Sequence, residues 1–466
     1  MKWNVTLWLL LLLCFVVVWG CGDDDDDDDT DDLYDDEELP NCEDDDDDAG
    51  DDDAIDDDDS APPCDDTLRP LVFAHGFIEN GDAFSLQEQR FTSNGYCADR
   101  IFAYDWDTII TAYNGEPDRL NTFIDAVLEQ TGADQVDLMG HSMGGGLGTM
   151  YLDVEAYRAK VAHYAHLASF SYEDYTADVP TLVISSDGDT VAGIAELPGA
   201  TNLVLEGLDH LQVATSETTF KELYPFFTDG QQPEFTEPVP EAHPVLSGRT
   251  LVIGTNWIAA GIRIDAYEFD PDTGMRIDDE PAGSFVSDAS GNWGSFVADA
   301  DAYYEFVVSE PTGTLPPVRY FREPFVRSTS KLHFRVLPAA DNILGKIVAW
   351  LPLINDEVSI FAYLNLNQAM IYGRDTLTLN GDNLIVEPES DWSQTIAIFF
   401  LDANFNGQSD HEIAGGFLGT LPFIQFFDLR IDAEEDVPLT FVNNGRTMTI
   451  PNFKTRSEGL GIVMFD

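Results

Sequence analysis

Three side chains separated by dozens of residues have the types needed to break an acyl bond together. Ser142 stands in Gly140-His141-Ser142-Met143-Gly144, Asp189 in Ser185-Ser186-Asp187-Gly188-Asp189-Thr190-Val191, and His210 in Gly207-Leu208-Asp209-His210-Leu211. A serine hydroxyl attacks a carbonyl only when a base takes its proton. A histidine serves as that base when an acid fixes its tautomer and stabilises its cation. The chain offers nucleophile, acid and base in that order, each just after a short apolar run. Asp187 is the neighbouring alternative for the acid.

Such chemistry needs rigid elements beneath it. Gln135 to Leu152, QVDLMGHSMGGGLGTMYL, reads as a strand, a sharp turn and a helix, with small residues on both sides of the serine. That context makes the Gly-x-Ser-x-Gly a nucleophile elbow, a strained turn that exposes the hydroxyl above a sheet. Leu68 to Gly76 is an apolar strand ending in His75-Gly76. Arg100 to Trp106 is a second strand, Pro117 to Gln130 an amphipathic helix, and Lys160–Ala168, Thr181–Ser186 and Asn202–Leu205 are further runs of strand length. Strands alternating with helices predict a parallel sheet with right-handed crossovers and catalytic groups at the carboxyl ends of the strands. His163 and His166 fall on one of these strands and read as hydrogen-bonded structural residues.

Residues 67–228, through HGF, VDLMGHSMGG, SSDGDTV and DHLQVATSE, resemble the compact lipase and esterase branch of the α/β-hydrolases. The HLQVATSETTF stretch and the β-rich tail are similar in particular to two-domain lipases of the Archaeoglobus kind, whose C-terminal β-barrel is implicated in lipid binding. The resemblance implies Ser142 as nucleophile, His210 as base, and backbone N–H groups of Phe77 and Met143 as the oxyanion hole. Asp189, followed two residues later by a valine, fits the family pattern better than Asp187. In the archaeal kind the acid follows the preceding strand, at a position matching about Ser169, so the acid stays open; Glu173 and Asp174 lie near that alternative. His75 and His141 belong to motifs in which histidine packs beside the site.

Only 47 residues separate Ser142 from Asp189 and 21 separate Asp189 from His210, too few for a large cap domain. The cleft is therefore expected to be open or covered by short loops, with Phe77 to Asn94 and Thr108 to Asp118 as lids.

Residues 229–248 contain four prolines and read as a linker. From 249 to 466 short runs such as TLVIG, GIRIDAYEFD and YYEFVVSE are divided by Gly, Asp and Asn turns, which predicts an all-β, antiparallel sandwich or barrel. Its first part resembles a prealbumin-like module. The rest, from about Val326, forms either a second β-subdomain or the completion of one barrel. Ile343 to Ile354, around Trp350, and Phe417 to Leu429 are apolar stretches that read as core or as acyl-binding surface. Asp402, Asn404, Asn406 and Asp410 have the alternate spacing of a structural calcium loop, but Ile413 stands where an EF-hand has glutamate, and the same residues make metal-free turns.

At the other end, Leu7 to Trp19 is an apolar run of 13 residues, which fits a secretory signal over 1–20 and is too short to span a bilayer. Cys21 after a small residue resembles a lipoprotein acylation site, which implies an N-terminal membrane anchor outside the cytoplasm; plain secretion is the alternative. Residues 22–66 hold 25 Asp and 3 Glu without a Lys or Arg, so residues 21–66 read as a disordered acidic tether. Residues 67–466 keep 21 basic and 59 acidic residues, a net of −38, which argues against nucleic acid as a partner. Cys64 and Cys97, each just before a predicted strand, are the better disulfide pair; Cys42 with Cys64 is the other pairing.

The resemblance and these readings together predict a monomeric, lipid-anchored, extracytoplasmic serine hydrolase of carboxylic esters, needing no cofactor. An ester lipid is the expected substrate, as for a triacylglycerol lipase. A short-chain or polyester esterase is the second reading, and a non-catalytic surface binding lipoprotein with a hydrolase fold the third.

Overall fold

The computed structural model describes residues 61–176, 178–338, 356–386, 394–404, 406–413, 423–434 and 437–465. The segment read as a signal, Cys21, nearly all of the segment read as a tether, the Trp350 stretch and residues 417–422 of the phenylalanine-rich stretch lie outside them. Among the described residues no helix is long and apolar enough to cross a membrane.

The N-terminal half is built on β1 (Leu71–Ala74), β2 (Ile101–Tyr104), β3 (Val136–His141), β4 (Val161–Leu167), β5 (Thr181–Ser186) and β6 (Thr201–Leu205). They lie in the order β2-β1-β3-β4-β5-β6 with every neighbouring pair parallel. β1, β3 and β5 are buried along their whole length, which is why they read as apolar runs rather than as alternation. The helices are α1 (Ser85–Thr92), α2 (Glu116–Thr131), α3 (Met143–Leu152), α4 (Glu155–Arg158), α5 (Gln212–Thr215) and α6 (Glu217–Phe227). Gly115 and Gly132, both left-handed, bracket α2, and Pro117 sits in its first turn, where a missing N–H costs nothing. Because the order turns back between β1 and β3, the loops leaving these two strands diverge. That crevice is where an α/β sheet of this kind binds its ligand.

A Cys64–Cys97 disulfide, with Cα atoms 4.8 Å apart, ties the segment before β1 to the turn before β2. Within Phe77 to Asn94, expected as a lid, residues 81–92 are instead packed: Phe84 and Phe91 are fully buried in the core beneath the sheet. Residues 108–115 do form a turn at the surface, pinned where the Asp107 carboxylate accepts the N–H groups of Ile109, Ile110 and Thr111.

The predicted linker is shorter than 229–248 and is strapped down. Val245 already begins a strand that runs to Val252. Before it, Asn94 Oδ1 accepts the N–H groups of Glu234 and Phe235, Ser93 Oγ accepts that of Val239, and Arg90 donates to Thr236 O and Glu237.

In the C-terminal half an eight-stranded sheet runs Ile424–Asp428, Ala397–Leu401, Phe361–Leu364, Leu460–Met464, Val318–Arg322, Tyr303–Ser309, Arg263–Phe269, Gly283–Val286. Side-chain alternation divides its two faces. Val318, Tyr320, Ala362, Leu364, Leu460 and Ile462 join one core, closed by a three-stranded sheet; Phe321, Phe361, Tyr363 and Val463 join another, closed by a four-stranded sheet. Strands from before and after Val326 share the large sheet, so the second part completes the first rather than forming its own subdomain. The antiparallel expectation fails at several pairings. The C-terminal strand Leu460–Met464 inserts between Val318–Arg322 and Phe361–Leu364 and runs parallel to both. Such pairings need long connections, which local alternation does not encode.

The halves meet across a seam of paired charges. Glu88 pairs with Lys331, Asp105 with Arg249 and His333, Asp82 with Arg335, and Asp209 with Arg374. Leu211 joins the core on the near face of the large sheet, and Phe77 and Val191 pack against it.

Candidate active site

Ser142 is the hinge between β3 and α3. Its φ of 53° and ψ of −117° lie where a non-glycine residue is strained. Two glycines permit the turn. A Cβ on Gly140 would stand 2.4 Å from Gly144 O, and one on Gly144 would stand 2.0 Å from Ala74 O, so nothing larger fits. The turn is fixed from outside as well: Ser142 N donates to Leu167 O at 2.9 Å and Ser169 Oγ donates to Ser142 O at 2.7 Å. Ser169, the position matching the archaeal acid, is thus a hydroxyl that braces the elbow.

His210 follows β6 and Asp189 follows β5. Asp189 Oδ2 lies 2.9 Å from His210 Nδ1, while its Oδ1 accepts the N–H groups of Val191 at 2.8 Å and Ala192 at 3.1 Å. Burial alone would raise this carboxyl, but the imidazole and the two N–H groups outweigh it and hold it below the usual range. Asp187 is exposed and accepts Gly207 N, which makes it a loop brace. Glu173 and Asp174 are exposed too.

The loop after β1 carries Phe77. A Cβ on Gly76 would come within 2.9 Å of Ser142 Cβ, so the backbone leading into Phe77 lies directly against the Ser142 side chain. Met143 is the first residue of α3, whose opening N–H groups have no intrahelical acceptor and carry the positive end of the helix dipole. This is the environment an oxyanion needs.

His141 ties these pieces together. Its Nδ1 donates to Glu79 Oε2 at 2.9 Å and its Nε2 donates to His210 O at 3.0 Å; Glu79 Oε2 also accepts Gly76 N at 2.7 Å. A ring donating from both nitrogens is an imidazolium. Burial opposes charge on both partners, yet their attraction wins: Glu79 is held at about 2 and His141 is raised. The pair joins the loop after β1, the elbow and the loop that carries His210. His75 is different. Its Nδ1 donates to Gly76 O, its Nε2 accepts Trp106 N, and burial lowers its pKa, so it is a neutral structural group. His166, lowered to about 4 by burial, donates to Phe170 O from inside the sheet, and His163 sits 2.8 Å from Asp137.

Several residues at the site come from the C-terminal half and carry no local sequence signal. Phe423 lies parallel to the His210 ring, with centroids 5.7 Å apart, and 6.5 Å from that of Phe77. A ring from the other half of the chain thus packs against His210. Asn256 Nδ2 reaches Glu79 O at 2.6 Å and Trp106 O at 3.1 Å. Gln394 and Arg374 contact the base loop.

The calcium-loop residues do converge, but as a closed turn. Asp402 accepts Asn406 N and Gly407 N, and Asn404 and Asn406 both turn amide N–H toward Asp410, whose Oδ2 accepts them at 2.6 and 3.1 Å. Among the described residues no group of three or more His, Cys, Asp or Glu side chains is arranged to hold a metal ion.

Known proteins share parts of this chain. The class 2 lipase family profile matches residues 68–153, and the lipase C-terminal domain profile matches residues 243–338. A bis(hydroxyethyl) terephthalate hydrolase of Streptomyces coelicolor is 28% identical over 174 residues, covering 33% of this chain and 54% of that protein, so the chain spans about half the length of this relative. Among solved structures, an esterase from Rhodococcus and a lipase from Bacillus licheniformis each align at 15% identity and a TM-score of 0.30, covering 36% of this chain and 94% and 95% of theirs.

Proposed function

We propose that this chain, an α/β-hydrolase carrying a class 2 lipase segment and a lipase C-terminal domain, hydrolyses carboxylic esters through an acyl-enzyme on Ser142. The observation that carries the reading is the 2.9 Å contact of Asp189 Oδ2 with His210 Nδ1, on loops that adjoin the strained Ser142 elbow. In the proposed reaction His210 Nε2 takes the serine proton as Oγ attacks the ester carbonyl. The N–H groups of Met143 and Phe77 receive the negative charge on the carbonyl oxygen, and His210 returns the proton to the departing alcohol. Water then repeats the sequence on the acyl-serine and releases the acid. Asp189 stays ionised throughout and stabilises the imidazolium.

The apolar side chains of Phe77, Phe423 and Val191 near the site support an acyl lipid as substrate, and with it the reading of a triacylglycerol lipase. A specific observation favours a second reading, an esterase on aromatic polyesters: the Streptomyces coelicolor relative is named for a terephthalate diester. Hydrolysis of nitrophenyl esters of increasing acyl length, of triolein and of bis(hydroxyethyl) terephthalate, with Ser142→Ala as control, separates them. Rates that rise with chain length and include triolein support the lipase. Turnover confined to short and aromatic esters supports the esterase. No Ser142-dependent turnover, together with no labelling by a fluorophosphonate, overturns the hydrolase reading.

A further inference from the structure

The acid and the base sit on separate loops, after β5 and β6, and each loop has glycines that could let it drift. One buried side chain from the C-terminal half bridges them. Gln394 Oε1 accepts the backbone N–H of His210 at 2.8 Å, and its Nε2 donates to the carbonyl of Gly188, the residue before Asp189, at 2.9 Å. The amide is 2% exposed, so water does not compete for either bond. Its own backbone is anchored, since the next residue, Thr395, exchanges both hydrogen bonds with Met370, at 2.7 and 3.1 Å. The same half grips the base loop and the helix after it: Arg374 Nη1 donates to Asp209 Oδ2 at 2.8 Å, and Asn367 O accepts from Thr215 Oγ1, in α5, at 2.6 Å.

We infer that Gln394 is a positioning residue, whose planar amide fixes the spacing of the Asp189 and His210 loops and so makes the C-terminal half part of the catalytic machinery. The inference rests on the Ser142 reading of the site. It concerns a segment that neither family profile reaches, since the C-terminal match ends at residue 338. The physical case is one of stiffness. A planar amide accepting from one loop and donating to the other sets both distance and orientation, and a small drift of either loop lengthens the acid–base contact. Displacements of that size cost on the order of a hundredfold in rate.

The test is made on the full chain, with nitrophenyl butyrate turnover, fluorophosphonate inactivation and thermal unfolding measured on each variant. Gln394→Met keeps the shape and removes both bonds. Lys331→Met is the control for mere docking, because it breaks a buried pair across the same seam away from the catalytic loops. The expected result for Gln394→Met is a fall in kcat and in inactivation rate of about ten- to a hundredfold with KM retained. Lys331→Met is expected to lose melting temperature while retaining kcat.

Gln394→Glu supplies a readout that a structural role would not move. A buried glutamic acid takes up a proton more readily than an exposed one, the more so beside Asp189 and Asp209 and the less so beside Arg374. Once protonated it again has one acceptor and one donor, so its kcat relative to wild type should climb toward acid pH. Wild-type kcat in Gln394→Met, a flat ratio for Gln394→Glu, or parallel losses of kcat and melting temperature in Gln394→Met and Lys331→Met would each overturn the inference. A wild-type chain that neither turns over ester nor takes the label overturns the Ser142 reading, and this inference with it.

Discussion

On the proposed Ser142 mechanism, replacing Asp189 by asparagine should lower kcat about 10⁴-fold, for a reason that lies in the hydrogen bonds of the carboxylate. The wild-type carboxylate does two jobs. Its Oδ1 accepts two backbone N–H groups, from Val191 and Ala192, and its Oδ2 accepts from His210 Nδ1. An asparagine must keep an acceptor toward the two backbone donors, because turning its own N–H there would set donors against donors in a buried site. Its amide nitrogen is then forced toward His210 Nδ1, which must become an acceptor. The ring's proton moves to Nε2, the atom that has to be bare to take the proton of Ser142. The loss corresponds to about 5 kcal/mol of transition-state stabilisation, at about 1.4 kcal/mol per decade. Asp187→Asn, an exposed brace on Gly207, should stay within a few-fold of wild type. Rates on nitrophenyl butyrate, corrected for the folded fraction by circular dichroism, decide the matter. Asp189→Asn retaining a tenth or more of the activity while Asp187→Asn loses it would refute the reasoning and move the acid to Asp187.

Other consequences are local. Gly144→Ala places a Cβ 2.0 Å from Ala74 O, so it should abolish fluorophosphonate labelling by breaking the elbow; normal labelling would contradict the packing described. His166, held at about 4, is neutral when folded and regains its ordinary pKa of 6.5 when unfolded. Its folded pKa is depressed, so its contribution is full above pH 6.5 and is lost as pH falls through 4, by about 3 kcal/mol. Glu79, held at about 2, loses its contribution between its ordinary 4.5 and that value. Urea midpoints that fall from pH 6.5 to 4 in wild type, and fall less steeply in His166→Gln, test the first window; identical slopes count against it. The Cys64–Cys97 disulfide closes 33 residues, and Cys97→Ser should lower unfolding free energy by up to about 4 kcal/mol on chain-entropy grounds, read from denaturant curves.

What could be read from the sequence, and what could not, follows the range of the interactions. Ser142, Asp189 and His210 each sit at the carboxyl end of a strand whose apolar run and following turn are written within ten residues, so local context placed them. Gly76 and Phe77 were legible for the same reason. Glu79 was not, because a glutamate three residues past a His-Gly pair looks solvated until His141, 62 residues on, is seen to face it. The lid expected over Phe77 to Asn94 fails at residues 81–92 because four polar side chains there are buried with partners far along the chain: Gln87 donates to Ala214 O, Glu88 pairs with Lys331 and accepts from Thr329, Gln89 donates to Arg327 O, and Arg90 donates to Thr236 O in the strap before Val245. Gln394 acts across 184 positions of sequence. No pattern of period two or period 3.6 carries such a contact, and the parallel insertion of Leu460–Met464 is hidden for the same reason.

The seam has a polarity that makes a last prediction. In every pair named across it the acid belongs to the N-terminal half and the base to the C-terminal half: Glu88, Asp105, Asp82 and Asp209 face Lys331, Arg249 and His333, Arg335 and Arg374. In a chain with only 22 lysines and arginines against 87 acids, setting four of the bases here concentrates attraction where the halves must find each other. Residues 61–242 alone would present four unpaired carboxylates and the apolar surfaces of Phe77, Val191 and Leu211, with the loops of the acid and base released from Gln394. That piece is expected to react with a fluorophosphonate at least about tenfold more slowly than the full chain. Adding residues 243–466 should restore the rate, and the restoration should slow as salt screens the encounter while the joined complex, its pairs largely buried, resists the same salt. Full reactivity of 61–242 by itself would show that the hydrolase half holds its catalytic loops unaided. In that case the charged seam would serve only to dock a second domain, and the C-terminal half would bear on substrate alone.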